Sequence, residues 1–307
     1  MNSVAEALHN DVPSPNNMAL EKAGEDPTAH WPVTIIERKP GWQVVDFHEL
    51  WRYRELLFFL TWRDVKVRYK QTVLGAAWAI LQPLANMVVF TVFLGRMAGI
   101  SVTVPYSLYV FSGMLAWLFF SNAITSAGTS VIGNQSLVTK IYFPRLIIPT
   151  AAVGAGIVDF LIGFVILLVM QGWYVAHGEP VTPDWSILLI VPILLFLSLA
   201  ALGFGALLAA LTVAFRDFRY VVPFMIQIWM FATPTIYLDA DTNYGPTVRS
   251  LLPLNPAYGL IYNFRKAMLG QALDWPGLGT SIAVSLILLI IGCLYFRRVE
   301  RGFADII

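Results

Sequence analysis

The sequence predicts an all-α integral membrane protein with six transmembrane helices per subunit, and three observations point to it. Hydrophobic residues make up 57% of the 307-residue chain and charged residues only 13%, for a mean hydropathy of +0.67. That balance is foreign to a soluble globule of this size. Ionisable side chains are missing over whole stretches, the first running from Gln71 to Gly95. The cations gather at the ends of such stretches, so their distribution says more than the net charge of +1.

Composition also narrows the chemistry. The one cysteine, Cys293, sits in an apolar run, which excludes an intrachain disulfide and a thiolate metal site. His9, His30, His48 and His177 lie outside the expected spans and form no metal-ligand pair. No G-x-x-x-x-G-K-[ST] loop is present to cradle a nucleotide, so no cofactor is expected in this chain. The charge gives no sign of a nucleic-acid partner.

Residues 1–30 are polar, without the apolar core of a secretory signal, and are expected to be a disordered cytosolic tail. Residues 31–70 form a cytosolic arm and an interfacial helix. Within the arm, VTIIERKPGWQVVDF (33–47) places two β-prone runs around a Lys-Pro-Gly turn signal, suggesting a small hairpin. From His48 to Tyr69 the pattern is helical, with Leu50, Tyr53, Leu57 and Leu60 on one face, and is read as an amphipathic helix lying in the interface. An ordinary cytosolic helix packed on protein fits the same pattern.

The six-span domain is expected over 71–296. Residues 61–83, TWRDVKVRYKQTVLGAAWAILQP, run from a cationic cluster of Arg63, Lys66, Arg68 and Lys70 into an uncharged stretch. From Gln71 to Gly95 a helix reaches about 37 Å, against a hydrocarbon core of roughly 30 Å. Further spans are read at about Pro105–Ser126, Leu146–Tyr174, Ile187–Val213, Tyr220–Leu238 and Leu278–Phe296. Residues 246–270, broken at Pro253 and Pro256, are too short in each piece to cross. Two re-entrant helices dipping from the outer face fit them, as does a soluble outer cap. Residues 297–307 form a cytosolic tail.

Orientation follows from the Lys and Arg distribution. With both termini inside, Lys22, the cations from Arg38 to Lys70, Lys140, Arg145, Arg216, Arg219, Arg297, Arg298 and Arg301 face the cytosol. Only Arg96, Arg249, Arg265 and Lys266 fall outside. This is the bias of a bundle whose basic rim is retained in the cytosol.

The loop GNQSLVTKIYFPRLIIP (133–149) holds both cations between spans two and three and ends a short helix at Phe143-Pro144. It reads either as a lever pushed by a soluble partner or as a plain connector. Asp159, inside span three, needs a partner across the bundle, and a structural hydrogen bond is preferred over a proton relay. Gly203, Gly205, Ala206, Ala209 and Ala210 give span four a small-residue surface suited to close helix approach, with packing inside the subunit preferred over dimerisation through it.

FLTWRDVKVRYKQTVLGAAWAILQPL, LVTKIYFPRLIIP, AFRDFRYVVPFMIQIWMFATPTIY and LPLNPAYGLIYNFRKAMLG follow one another in this order. Together they resemble the permease subunits of type-2 ABC exporters of polysaccharides, in particular those of O-antigen, teichoic acid and capsule, over about residues 48–300. The resemblance implies an inner-membrane homodimer with two copies of a separate ATP-binding subunit, which holds ATP and magnesium. It implies that Glu49–Tyr69 is the interfacial helix and that 246–270 are outer gate helices. It also implies that Ser136, Leu137, Lys140, Tyr142, Phe143 and Arg145 couple to the ATPase.

A lipid-linked polysaccharide offers hydroxyls and apolar sugar faces, so aromatic and amide side chains suit its path. Trp78, Gln82, Asn86 and Phe90, spaced by four, are the candidates on span one, with Trp117, Phe120 and Asn122 on span two. Efflux of a small hydrophobic compound is an alternative within transport. A membrane-embedded glycan-transferring enzyme is an alternative of another class, with Asp239, Asp241 and Asp274 near the outer face.

Overall fold

The computed structural model describes residues 51–70, 77–97, 104–181, 184–215, 217–233 and 246–303, which hold helices and their connections and no strand. The helices are α1 (Arg54–Lys70), α2 (Ala77–Phe90, extended by a π-helical turn over Thr91–Met97), α3 (Tyr106–Gly133) and α4 (Gln135–Lys140). They continue with α5 (Ile147–Ala176), α6 (Ile190–Ala214, entered through a 3-10 turn at Trp185–Leu189), α7 (Phe218–Phe231) and α8 (Pro246–Leu251). After a 3-10 turn at Leu252–Leu254 come α9 (Pro256–Leu269), α10 (Trp275–Val299) and a last 3-10 turn at Glu300–Gly302. The tail at 1–30 and the hairpin at 33–47 lie outside the described residues.

Among the described residues, five helical segments are long and apolar enough to cross a membrane: Ile80–Met97, Tyr106–Gly133, Ile147–Ala176, Trp185–Ala214 and Trp275–Val299. The chain is a multi-pass membrane protein. The expected fifth span is shorter than read from the sequence, because α7 stops at Phe231 after about 21 Å of helical rise. Its end has a local cause: Pro234 follows Thr233, and a residue before proline is driven out of the α region. Residues 71–76, placed in the first span by the absence of charge, lie outside the described residues.

The bundle is built around α3, which packs against α2, α5, α6 and α9. Its Ser112, Gly113, Ala116, Ala123, Ala127 and Gly128 keep it thin enough to be surrounded, and most of its length is buried. The small-residue surface of α6 works inside the subunit, as expected. A Cβ on Gly203 would stand 2.6 Å from the Leu289 backbone of α10, and one on Gly205 would stand 2.5 Å from the Ala127 Cβ of α3. A Cβ on Gly292 of α10 would collide with the Gly203 carbonyl. The α6–α10 crossing therefore closes backbone to backbone, which side chains on either glycine would forbid.

Two cores result. The larger joins α3, α5, α6 and α9 through residues such as Phe111, Leu115, Phe120, Phe160, Ile193, Leu260 and Phe264. The smaller sits at the basic end, where Leu60, Val131, Val138, Phe143, Ile147, Ala209, Phe296 and Phe303 bring α1, α3, α4, α5, α6 and α10 together.

At the opposite end, α9 is buried at every residue except Lys266. Asn255 caps it by accepting from the Ala257 N–H, Pro256 opens its first turn, and Gly270 at φ 66 ends it. The breaks at Pro253 and Pro256 fall as the sequence indicated. A helix buried on all sides is part of the bundle wall and differs from a cap resting on it.

Candidate functional site

The first candidate region is the α3–α4–α5 connection at the basic end. Its inward side is anchored by Val138 and Phe143, both buried in the smaller core, with Leu137 half-buried against it. Its outward side presents Ser136, Lys140, Ile141 and Tyr142, the last 76% exposed. The six expected contact residues thus divide. Ser136, Lys140 and Tyr142 face outward, whereas Phe143 turns inward and serves as the anchor. The helix ends at Ile141, which is extended at φ -128 and ψ 135, so the chain after it no longer follows the helical face and Phe143 can turn inward.

Arg145 is also drawn inward: its guanidinium donates to the Glu300 carbonyl oxygen and lies 5.9 Å from the Phe303 ring centre. Phe303 is fully buried and meets Phe296 edge-on at 5.4 Å. The other end of the loop is held by α1, since Arg63 donates to Asn134 Oδ1 at 2.7 Å while also bridging Asp64 at 2.8 Å. Asn134 in turn donates to the Ser130 carbonyl at 2.8 Å. A short exposed helix is therefore fixed at both ends and along its inner face, so force applied to it passes to α1, α5 and α10. The same end exposes Phe215 after α6 and Arg219 and Tyr220 in the first turn of α7. Their motif, AFRDFRY, was visible, but nothing in its pattern distinguished outward from inward rings.

Helix α1 differs from the amphipathic expectation. Leu60 and Val65 are buried, yet Phe58, Phe59, Trp62 and Val67 are exposed, so apolar side chains emerge on more than one side. One side docks on α5: Thr61 packs against Gly154, Arg68 pairs with Asp159, and the Tyr69 hydroxyl donates to the same carboxylate. Asp159 thus has the structural partners that its place in an apolar helix calls for. Burial raises the Tyr69 phenol above its ordinary value, with the Arg68 charge opposing it.

The second candidate region is the expected substrate path. Trp78 and Gln82 are exposed on α2, whereas Asn86 and Phe90 are half-buried. Residues four apart drift by about 40° per step, so a row of four turns through roughly 120° and its far end meets the bundle. Phe90 indeed packs against the larger core. Asn122 is exposed on α3. Trp117 and Phe120 are not open to any path: they are 3% and 0% exposed, wedged against Trp229 at 6.5 and 5.3 Å. Phe204 closes that cluster at 5.0 Å from Trp229. Large rings on a helix surrounded by others are taken up by packing, which residue type alone does not reveal.

That cluster is tied to the opposite end. Trp229 Nε1 donates to Asn255 Oδ1 at 3.0 Å, and Asn255 Nδ2 reaches Thr233 Oγ1 at 2.9 Å. Asn263 and Asp274 lock α9 to α10 through the Asp274 N–H at 2.9 Å, and Ser281 Oγ donates to the Pro253 carbonyl at 2.9 Å. Asp274 accepts from the Gly277 N–H as the cap of α10, a structural task. Asp239 and Asp241 lie outside the described residues. Arg265, 1% exposed, packs its guanidinium over Tyr109 at 3.8 Å and near Tyr262 at 5.6 Å.

The sequence from 55 to 269 matches the family model of the ABC-2 type transporter. The chain is 30% identical over 259 residues to the O-antigen export system permease protein RfbA of Myxococcus xanthus, covering 84% of this chain and 97% of that protein. A Klebsiella pneumoniae RfbA of the same description is 26% identical over 255 residues, 82% of this chain and 95% of the relative. The polysialic acid transport protein KpsM of Escherichia coli is 22% identical over 245 residues, 78% and 92% of the two chains. With the family's match spanning most of the helical bundle, this chain belongs to the ABC-2 type transporter family.

Proposed function

We propose that this chain is the permease of an ATP-driven exporter that carries a lipid-linked, O-antigen-like polysaccharide outward across the inner membrane. The observation that carries this reading is the end-to-end similarity to an O-antigen export permease, which reaches 97% of that protein's length. A separate ABC subunit supplies ATP hydrolysis with its own magnesium. The basic end faces the cytosol, as its retained cations favour, and both termini lie there.

Two copies of the ATPase engage two copies of the permease through Ser136, Lys140, Ile141 and Tyr142, with Leu137, Phe143 and Arg145 holding that surface in place. The rigid mounting of α4 on α1, α5 and α10 supports its role as the loop that receives force. The dimer leaves a path beside α2 and α3 in which Trp78, Gln82, Asn86 and Asn122 contact the sugar chain. In support, Pro83 is the one buried residue of α2 among those described, and α7 exposes Tyr220, Phe224, Ile228 and Phe231, so both helices have room for a second copy. Segments α8 and α9 act as the outer, re-entrant gate.

The test is deletion of this chain followed by location of the glycan. Export predicts normal synthesis with the polymer accumulating on the cytosolic leaflet. Surface glycan at the parental level contradicts it, and loss of the glycan linkage with no accumulation would favour a transferase.

A further inference from the structure

We propose that the outward face of α1 binds the phosphate head group of an anionic phospholipid of the inner leaflet, held by Lys66 and Lys70 beside Phe59 and Trp62. This rests on the basic end facing the cytosol. A groove of about 270 Å³ is lined by Phe59, Trp62, Arg63, Lys66, Val67 and Lys70. These positions follow helical spacing and share one side of α1.

The helix cannot turn this side inward. Its other side is committed to α5 by buried Leu60 and Val65, by Thr61 against Gly154, and by the Arg68 and Tyr69 contacts with Asp159. Asp159 is about 18 Å along α5 from its first residue, so the C-terminal half of α1 runs beside a membrane-crossing helix. Three cations are thereby presented next to Phe59, Trp62 and Val67, which are 62%, 53% and 55% exposed.

Of these cations, Arg63 is engaged by Asp64 and Asn134. Lys66 and Lys70 have no acidic partner among the described residues. Water satisfies the ammonium groups but not the rings, and acyl chains satisfy the rings but not the ammonium groups. An acidic soluble protein meets the lysines and leaves the aromatic surface uncovered. Only the boundary of an anionic leaflet supplies phosphate and hydrocarbon within one side-chain length, with the lysine stems lying along the apolar surface.

The experiment uses the full-length chain purified with its ATPase partner, titrated with phosphatidylglycerol or phosphatidylcholine in detergent and read by native mass spectrometry. Each cation near an anionic head group strengthens binding about fivefold, so Lys66→Gln/Lys70→Gln is expected to weaken phosphatidylglycerol binding roughly 25-fold. Phosphatidylcholine binding stays unchanged, and Lys140→Gln binds phosphatidylglycerol like the parent. Equal phosphatidylglycerol binding by parent and double variant overturns the proposal. So does selective loss of a polyprenyl diphosphate with phosphatidylglycerol retained, which assigns the face to the substrate's carrier. Failure here leaves the export reading intact, because glycan location in the deletion strain is an independent measurement.

Discussion

Arg145 and Phe303, far apart in sequence, meet at the base of the exposed loop, with the guanidinium 5.9 Å from the ring centre and bonded to the Glu300 carbonyl. The C-terminal turn is thereby a structural member of the exposed α3–α4–α5 connection. Phe303→Ala is expected to cost about 3 kcal/mol as a buried ring is removed. Hydrogen exchange over 134–143 should rise while the outer helices keep their protection. Unchanged exchange in the loop would count against this support.

Outward and inward side chains of that loop should behave differently on truncation. Tyr142→Ala removes a ring that touches little of its own subunit, so stability should shift by no more than about 0.5 kcal/mol. If the ring anchors the partner, affinity for the ATPase falls by about 2 kcal/mol, or roughly thirtyfold. Phe143→Ala should instead lower the melting temperature of the permease alone. A pull-down and a melting curve for each variant separate the two, and a destabilised Tyr142→Ala would refute the division.

The α6–α10 crossing predicts a sharp contrast among glycines. Gly292→Val places a side chain against the Gly203 carbonyl and should prevent stable folding. Gly172→Ala in α5 meets nothing within 4 Å and should be neutral or stabilising by up to about 1 kcal/mol through helix propensity. Yield and thermal unfolding in detergent measure both. A well-folded Gly292→Val protein would show that the helices do not cross as described.

Docking of α1 should respond to alkali. Burial raises the Tyr69 phenol above its ordinary value of 10.0, so the folded state holds that proton more tightly than the unfolded chain. Its contribution is complete below pH 10 and is lost as pH climbs through the raised value, when phenolate would face the Asp159 carboxylate. The helicity and thermal stability associated with α1 docking should therefore hold to about pH 10 and fall beyond it, with Tyr69→Phe removing that fall. An identical alkaline transition in Tyr69→Phe would contradict the assignment.

Much of this was legible because charge placement is a one-dimensional signal. The gap between Lys70 and Arg96 located the first span, and Lys140 and Arg145 located the exposed loop. The small residues of α6 were legible too, since Gly and Ala at close spacing have few uses other than close approach. Partner choice was not. Arg68 and Asp159 are 91 positions apart and Arg145 and Glu300 are 155 apart, and local patterning carries no record of such meetings. Ring orientation was likewise hidden: Trp78 and Trp117 look alike in sequence, yet one is exposed and the other is enclosed by Phe120 and Trp229. The cation-rich α1 read as one-sided because its buried Leu60 and exposed Phe59 are adjacent, and only the packing on α5 separates them.

Reconstitution addresses the export reading most directly. Proteoliposomes holding this chain with its ATPase are loaded with a lipid-linked glycan on the leaflet that bears the ATPase, and the glycan's accessibility on each side is followed as ATP is added. Export predicts that the glycan moves to the opposite leaflet only while ATP is hydrolysed, and that Tyr142→Ala slows this movement. Sustained ATP hydrolysis with the glycan remaining on its original leaflet would contradict it.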